Sequence, residues 1–410
     1  MDPVSASAVG GSRPRSRRPS RAAGAAACLA TAALALSCAV ALDPQRPPAE
    51  LDAYRLFAGE SRLQRPAPGV IGYDLNTPLF SDHADKLRFV KLPAGAPARY
   101  RADAPFDFPV GTLIAKTFAY PEPDTGGGAE GLRLVETRIL WHTADGWIGL
   151  PYVWNQAQDE ARLELAGAAV PVRFTDPEGV ERTLDYRVPN VNQCKACHRV
   201  DGERVSPIGP RAAQLNRDRD YDVSGEGGGV ENQLARWARL GLLAGAPPPA
   251  EAPRYPVWDD PASGSLDHRA RAWLEVNCAH CHNPAGPART TSLDLTFANT
   301  DPTLLGVYKS PVAAGRGSGE NLHDIEPGDP DRSILVYRLE SDDPGIMMPE
   351  LGRALIDRAG IALIREWIAA MPDPFAAPAA RVVSAGVLRR SPDVSDHAEE
   401  GAAESRDQRR

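Results

Sequence analysis

The sequence predicts an α+β multidomain protein: a β-rich, sandwich- or barrel-like N-terminal domain followed by a mainly α-helical C-terminal domain. Three observations predict it. Between residues 70 and 188, short runs such as "KLRFVKL" and "IAKTFAY" alternate polar and apolar residues between turn signals, the period of half-buried strands. Beyond residue 259 the apolar residues adopt helical spacing, in "LDHRARAWLEVN" and "DRAGIALIREWIAAMP". At 410 residues the chain is long enough for two or three cores of ordinary size.

The first 41 residues carry Arg13, Arg15, Arg17, Arg18 and Arg21, then an alanine- and leucine-rich run closing on Ala39-Val40-Ala41. That order of basic, apolar and small residues predicts a signal peptide over 1–41 and export to the periplasm. A single membrane-spanning helix is the alternative reading of the same run, which barely reaches spanning length. A lipid anchor at Cys38 is a weaker alternative, because Ala35 stands where a lipoprotein signal carries leucine. Cleavage after Ala41 removes Cys28 and Cys38 and leaves four cysteines. It also takes five arginines and one aspartate from the 46 basic and 54 acidic residues, so the mature charge is near −12. Such a balance argues against nucleic acid as a partner.

Residues 42–188 form the predicted β-rich domain, opening with a lead-in segment. Its hairpin signal is Thr143-Ala144-Asp145-Gly146, which separates "RLVETRILW" from "WIGLPYVW". The three glycines at 126–128 predict a loop. Over 189–245 the character changes to loop and helix, with Leu234, Trp237, Ala238 and Leu242 at helical spacing. Residues 246–258 read as a proline-rich linker. A second unit spans 259–372, where Asp357 is the expected N-cap of the last helix and Pro372 its stop. Ile361, Ile364, Trp367, Ile368 and Met371 share one face of that helix, which is expected to pack on Ala270, Trp273 and Leu274. Residues 373–410 lack periodicity and predict a disordered tail.

All four remaining cysteines lie in two copies of one pattern, "CKACH" at 194–198 and "CAHCH" at 278–282. Cys-x-x-Cys alone fits a zinc knuckle, a redox disulfide or a haem attachment site. The following histidine favours the third. Two thiols at that spacing meet the two vinyl groups of haem, and the next residue reaches the iron. Histidine occupies 8 of 410 positions, so chance placement after both pairs is about one in 2,500. A single Cys₄ zinc site would leave both histidines without a role. The expected cofactors are therefore two covalent haems c, one on Cys194, Cys197 and His198, the other on Cys278, Cys281 and His282. Attachment outside the cytoplasm agrees with the signal peptide.

For the second iron, "GIMMPELGR" offers Met348 as a sulfur ligand, on a loop between the haem motif and the last helix. For the first iron no nearby methionine exists, so the partner is a histidine, a lysine, a remote methionine or nothing. Among the histidines His142, at the end of "ETRILWH" beside a tight turn, is the leading candidate, followed by His83. Carbonyl groups near Pro207 and Pro284 are expected to accept the imidazole N–H of the proximal histidines. In "AAGRGSG", Arg316 is a candidate partner for a haem propionate.

Residues 259–371 resemble a class I cytochrome c domain. More widely, "LNTPLFSDHADKLRFVKLPAG", "FDFPVGTLIAKTF", "VPNVNQCKACH", "PIGPRAAQLN", "RARAWLEVNCAHCHNP" and "MMPELGR" are similar to a family of exported bacterial dihaem c-type cytochromes, over roughly residues 50–372. The resemblance implies haem binding and electron transfer with soluble or membrane-bound redox proteins, with no transmembrane segment after signal cleavage. It implies no substrate. The competing expectations are a dihaem peroxidase or oxidase with one open iron face, and a binding module built on the β-rich domain.

Overall fold

The computed structural model describes residues 42–122, 131–200, 202 and 204–375. The expected signal segment with Cys38, the glycine loop at 126–128 and residues 376–410 lie outside it.

Among the described residues nine strands precede the first α-helix: β1 (Val70–Gly72), β2 (Asp85–Lys91), β3 (Ala98–Arg99), β4 (Leu113–Pro121), β5 (Leu132–Thr143), β6 (Gly146–Trp154), β7 (Ala161–Leu163), β8 (Ala168–Thr175) and β9 (Glu181–Val188). Six of them form one antiparallel sheet in the order β1-β2-β4-β5-β6-β7. The sheet is open, with β1 and β7 at its edges. The β5–β6 hairpin turns where the sequence predicts it, with Thr143 opposite Gly146 and His142 opposite Trp147. Gly146 takes φ 110°, a value a side chain would resist. β8 and β9 form a separate hairpin, and β3 pairs in parallel with Leu243–Ala244.

Both faces of the sheet are covered. On one, Phe89, Leu113, Ala115, Ile139, Trp141 and Tyr152 pack under Leu51, Tyr54 and Leu56 of the lead-in segment. On the other, Val90 and Ile114 pack against the segment that follows the first motif, through Ala212, Leu215, Leu234 and Trp237. The β8–β9 hairpin extends this second face, placing Val172, Phe174 and Tyr186 on Phe118 and Val135. This covering has a consequence for the site: polar residues that alternate onto the second face point inward.

The helices are α1 (Val191–His198), α2 (Ala212–Leu215), α3 (Gln233–Arg239), α4 (Leu266–Asn277), α5 (Pro302–Leu305), α6 (Ile334–Leu339) and α7 (Arg358–Ala369). α3 buries Leu234 and Trp237, but Ala238 is exposed and Leu242 falls beyond the helix. Asn232 caps its start through the backbone N–H groups of Leu234 and Ala235. The proline-rich segment is strapped down. The Asn216 side-chain amide donates to the carbonyls of Pro249, Ala252 and Pro253, and Tyr255 N–H donates to Ala213.

α4 and α7 cross closely, as their apolar faces predict: Ala270, Trp273 and Leu274 meet Ile361, Ile364, Trp367 and Ile368. The crossing is pinned twice, by Trp273 Nε1 on Asp357 (3.2 Å) and Trp367 Nε1 on Asp267 (2.9 Å). Gly360 permits it, since a Cβ there would stand 2.4 Å from Trp273 Nε1. Asp357 caps α7 through Gly360 N–H. The expectation of a mainly helical second unit is corrected here. α5 and α6 are only four and six residues long, and the rest of the segment between α4 and α7 is turn and loop. Its glycines, prolines and aspartates, as in "SDDPGIMMPELGR", do not sustain helix. The architecture is α+β, with a large antiparallel sheet, some helices and no dominant helical domain. Among the described residues no helix is long and apolar enough to cross a membrane.

Candidate functional site

The first motif lies on α1, where Cys194, Cys197 and His198 share one side by the i, i+3, i+4 rule. Asn190 and Gln193 form a capping box that fixes where this helix begins. α1 sits against β6 at Gly149, where a Cβ would stand 3.1 Å from Cys194 Cβ. The second motif continues α4. Cys278 is its C-cap, and the N–H groups of Cys281 and His282 both bond to Cys278 O, at 3.0 and 2.9 Å.

Each histidine is oriented through Nδ1. His198 Nδ1 lies 2.9 Å from Ser206 O, and Ser206 N–H returns a 2.9 Å bond to His198 O. The short ribbon of Arg199–Val200 and Arg204–Val205 brings Ser206 back to this position. The acceptor is the carbonyl immediately before Pro207, as expected. His282 differs from the expectation: its Nδ1 lies 3.2 Å from Thr291 Oγ1, not against a carbonyl beside Pro284. Thr291 Oγ1 donates to Ala288 O (2.8 Å), so it accepts from the ring. In both histidines Nε2 is thereby the nitrogen with a free lone pair. Burial is the main reason both imidazoles are pushed down to about 4, and both are neutral near pH 7.

The two motifs, 84 positions apart in sequence, are neighbours in space. Cys197 of the first and His280 of the second line one cavity, and Cys197 and Cys281 are near enough for each to shift the other's ionisation. The nearness of Cys281, then of His280, holds Cys197 below the usual thiol range, while Cys281 is raised. Burial pushes Cys278 up to about 12. The described residues contain no group of three or more His, Cys, Asp or Glu side chains arranged to hold a metal ion, so the four sulfurs do not close into a zinc cage.

Beside the first motif lies a cavity of about 390 Å³. Cys194, Cys197 and His198 form one wall, the second sheet face another, and α4 with the loop before α7 close it through Trp273, His280, Met347 and Arg353. The methionine pair divides: Met347 is buried and lines this cavity, whereas Met348 is half-buried and does not. Arg353 fixes the loop by donating to the carbonyls of Met348, Leu339 and Ser341, at 2.7, 3.2 and 3.0 Å.

His142 does not line the cavity. Its ring stacks on Trp147 at 4.5 Å and 4°, and its Nδ1 has no partner. His83 packs edge-on to Phe80 and also stays outside. Arg316 is exposed and held by both carboxylate oxygens of Asp343, at 2.8 and 3.0 Å. The residue that sequence reasoning passed over is His280, whose buried Nδ1 is unpartnered. Its signal lay in plain view, between the cysteines of the second motif.

The donor set fits haem attachment: paired thiols on one helical side, neutral histidines with Nε2 free, and a large cavity against the first pair. No family model, no curated protein and no solved structure matches the chain.

Proposed function

We propose that this protein is a periplasmic dihaem c-type cytochrome that relays electrons between redox proteins. Cys194 and Cys197 would bond one haem, with His198 on its iron. Cys278 and Cys281 would bond the other, with His282. The observation that carries this reading is the meeting of the two motifs: Cys197 of the first and His280 of the second line one cavity, and transfer between two centres falls steeply with their separation. When bound, haem supplies reversible one-electron exchange at iron. The chain's part is to hold each imidazole neutral, fix its ring through Ser206 or Thr291, and keep both attachment points in one body.

Met348 is the proposed sulfur ligand of the second haem. Arg338 supports this, because its charge acts on His282 while its carbonyl accepts from Met348 N–H at 3.0 Å. The acidic balance of the chain suits a basic docking face on a soluble or membrane-bound partner. The resemblance to exported dihaem cytochromes points the same way.

A second reading, a dihaem peroxidase or related oxidoreductase, is favoured by one observation: the cavity beside His198 is not reached by His142. Optical and EPR spectra of the haem-loaded protein test both. Two low-spin, six-coordinate irons support the relay. A high-spin first haem that reacts with peroxide supports the enzyme and overturns the relay.

A further inference from the structure

Three cations stand in one register row on the covered face of the sheet. Arg88 on β2 is directly opposite Lys116 on β4, and Lys116 is directly opposite Arg138 on β5. All three line the cavity beside the first motif. Like charges in directly opposed positions of a sheet repel at short range, and burial makes the repulsion worse. A row of this kind persists where an anion answers it.

The protein supplies one such anion. Glu136, fully buried, binds Arg138 through both oxygens and accepts from Tyr186 at 2.7 Å. The other two cations are not answered. Arg88 donates to the backbone carbonyl of Lys86 at 2.9 Å, and Lys116 makes no hydrogen bond or ion pair among the described residues, its ammonium lying 4.9 Å from the centre of the Phe118 ring. Burial, then Arg138, Arg88 and Lys86, push Lys116 down to about 7. Of the acids on the opposite wall, Asp82 accepts from the backbone N–H groups of Ala354 and Leu355 and Asp357 caps α7, while Asp342 and Glu350 are exposed to solvent and act on Arg353 and on Arg338 and Cys281. Arg88 and Lys116 therefore face the cavity with no carboxylate bonded to either among the described residues, and an anion between them would restore the charge that burial takes from Lys116. The motif is close by, since the charge of Lys116 acts on both Cys194 and His198.

We propose that Arg88, Lys116 and Arg138 form a carboxylate-binding row in this cavity. The inference rests on the haem reading of the first motif. The carboxylates come from one of two sources, the propionates of the haem on Cys194 and Cys197, or a free small carboxylate that enters beside it. With Lys116 protonated beside the bound anion, it and Arg88 match the two negative charges of a propionate pair.

The test uses haem-loaded protein, wild type and Lys116→Gln, with Arg88→Gln as a second variant in case the first does not fold and Lys116→Arg as the charge-keeping control. Haem count by intact mass comes first, because fewer than two haems in the wild type removes the haem reading itself. With propionates in the row, neutralising Lys116 disfavours the reduced first haem at least tenfold, about 59 mV for one electron, Lys116→Arg restores it, and added sodium propionate leaves the wild-type spectrum unchanged. With a free carboxylate, the wild-type spectrum responds saturably to sodium propionate and Lys116→Gln binds it at least tenfold more weakly. A two-haem variant with wild-type potential and wild-type propionate response overturns the proposal. So does conversion of the first haem to high spin in Lys116→Gln, which would make Lys116 an iron ligand.

Discussion

Thr291→Val probes the orientation of His282 with the smallest change of shape. Valine keeps the branched outline and deletes the oxygen that accepts from His282 Nδ1 at 3.2 Å. No other acceptor of that ring nitrogen is present among the described residues. The change leaves a buried N–H unpaired, a cost of about 1–3 kcal/mol. It also removes a bond that makes the imidazole a stronger donor and so favours ferric iron. If about 1 kcal/mol of that bond is specific to the ferric state, the potential of the second haem rises by roughly 40 mV, since a tenfold change is 59 mV for one electron. Thr291→Ser retains the oxygen and is expected to stay near wild type. Spectroelectrochemical titration and urea unfolding of haem-loaded protein measure both effects. A valine variant with wild-type potential and midpoint refutes the role of Thr291, and a shift confined to the first haem refutes the assignment of His282.

Gly149→Val is expected to lower stability by about 1–3 kcal/mol through overpacking, because even a Cβ there stands 3.1 Å from Cys194 Cβ; Gly149→Ala should cost less, and equal urea midpoints for all three proteins would dismiss the contact. Met348→Ala is expected to abolish the near-infrared sulfur-to-iron band and Met347→Ala to preserve it, while the reverse pattern would give the ligand role to Met347, the methionine that lines the cavity. Asp357→Ala removes both the α7 cap and the acceptor of Trp273 Nε1; a loss of about 2 kcal/mol is expected, with Asp357→Asn retaining part of it, and a thermal melt unchanged by alanine would contradict the capping account.

The local grammar of this chain was legible where short-range forces decide the outcome. Helix α4 spans the predicted "LDHRARAWLEVN", because Ser265 caps it and its apolar period has no competitor. The β5–β6 turn and the α4–α7 crossing follow for the same reason. What pattern could not reach were the contacts between distant segments. Lys116 in "IAKTFAY" and Arg88 in "KLRFVKL" look like solvent-facing positions of half-buried strands, yet the second face of the sheet is covered and they point into a cavity. His142 looked well aimed from its place beside a turn, but stacking on Trp147 engages its ring. The nearness of Cys197 to Cys281 depends on α1 docking on β6 and α4 docking beside it, which no local period records. The expected helical second unit was overstated because two well-capped helices bracket a long stretch that glycine and proline keep irregular.

Intact-mass spectrometry of protein exported through a working haem-attachment pathway decides whether both Cys-x-x-Cys-His motifs carry haem. Two added haems and no cysteine open to alkylation after denaturation are expected, since Cys194, Cys197, Cys278 and Cys281 are the only cysteines beyond residue 41. One haem or none, alkylatable thiols at either motif, or bound zinc in place of haem would contradict that expectation.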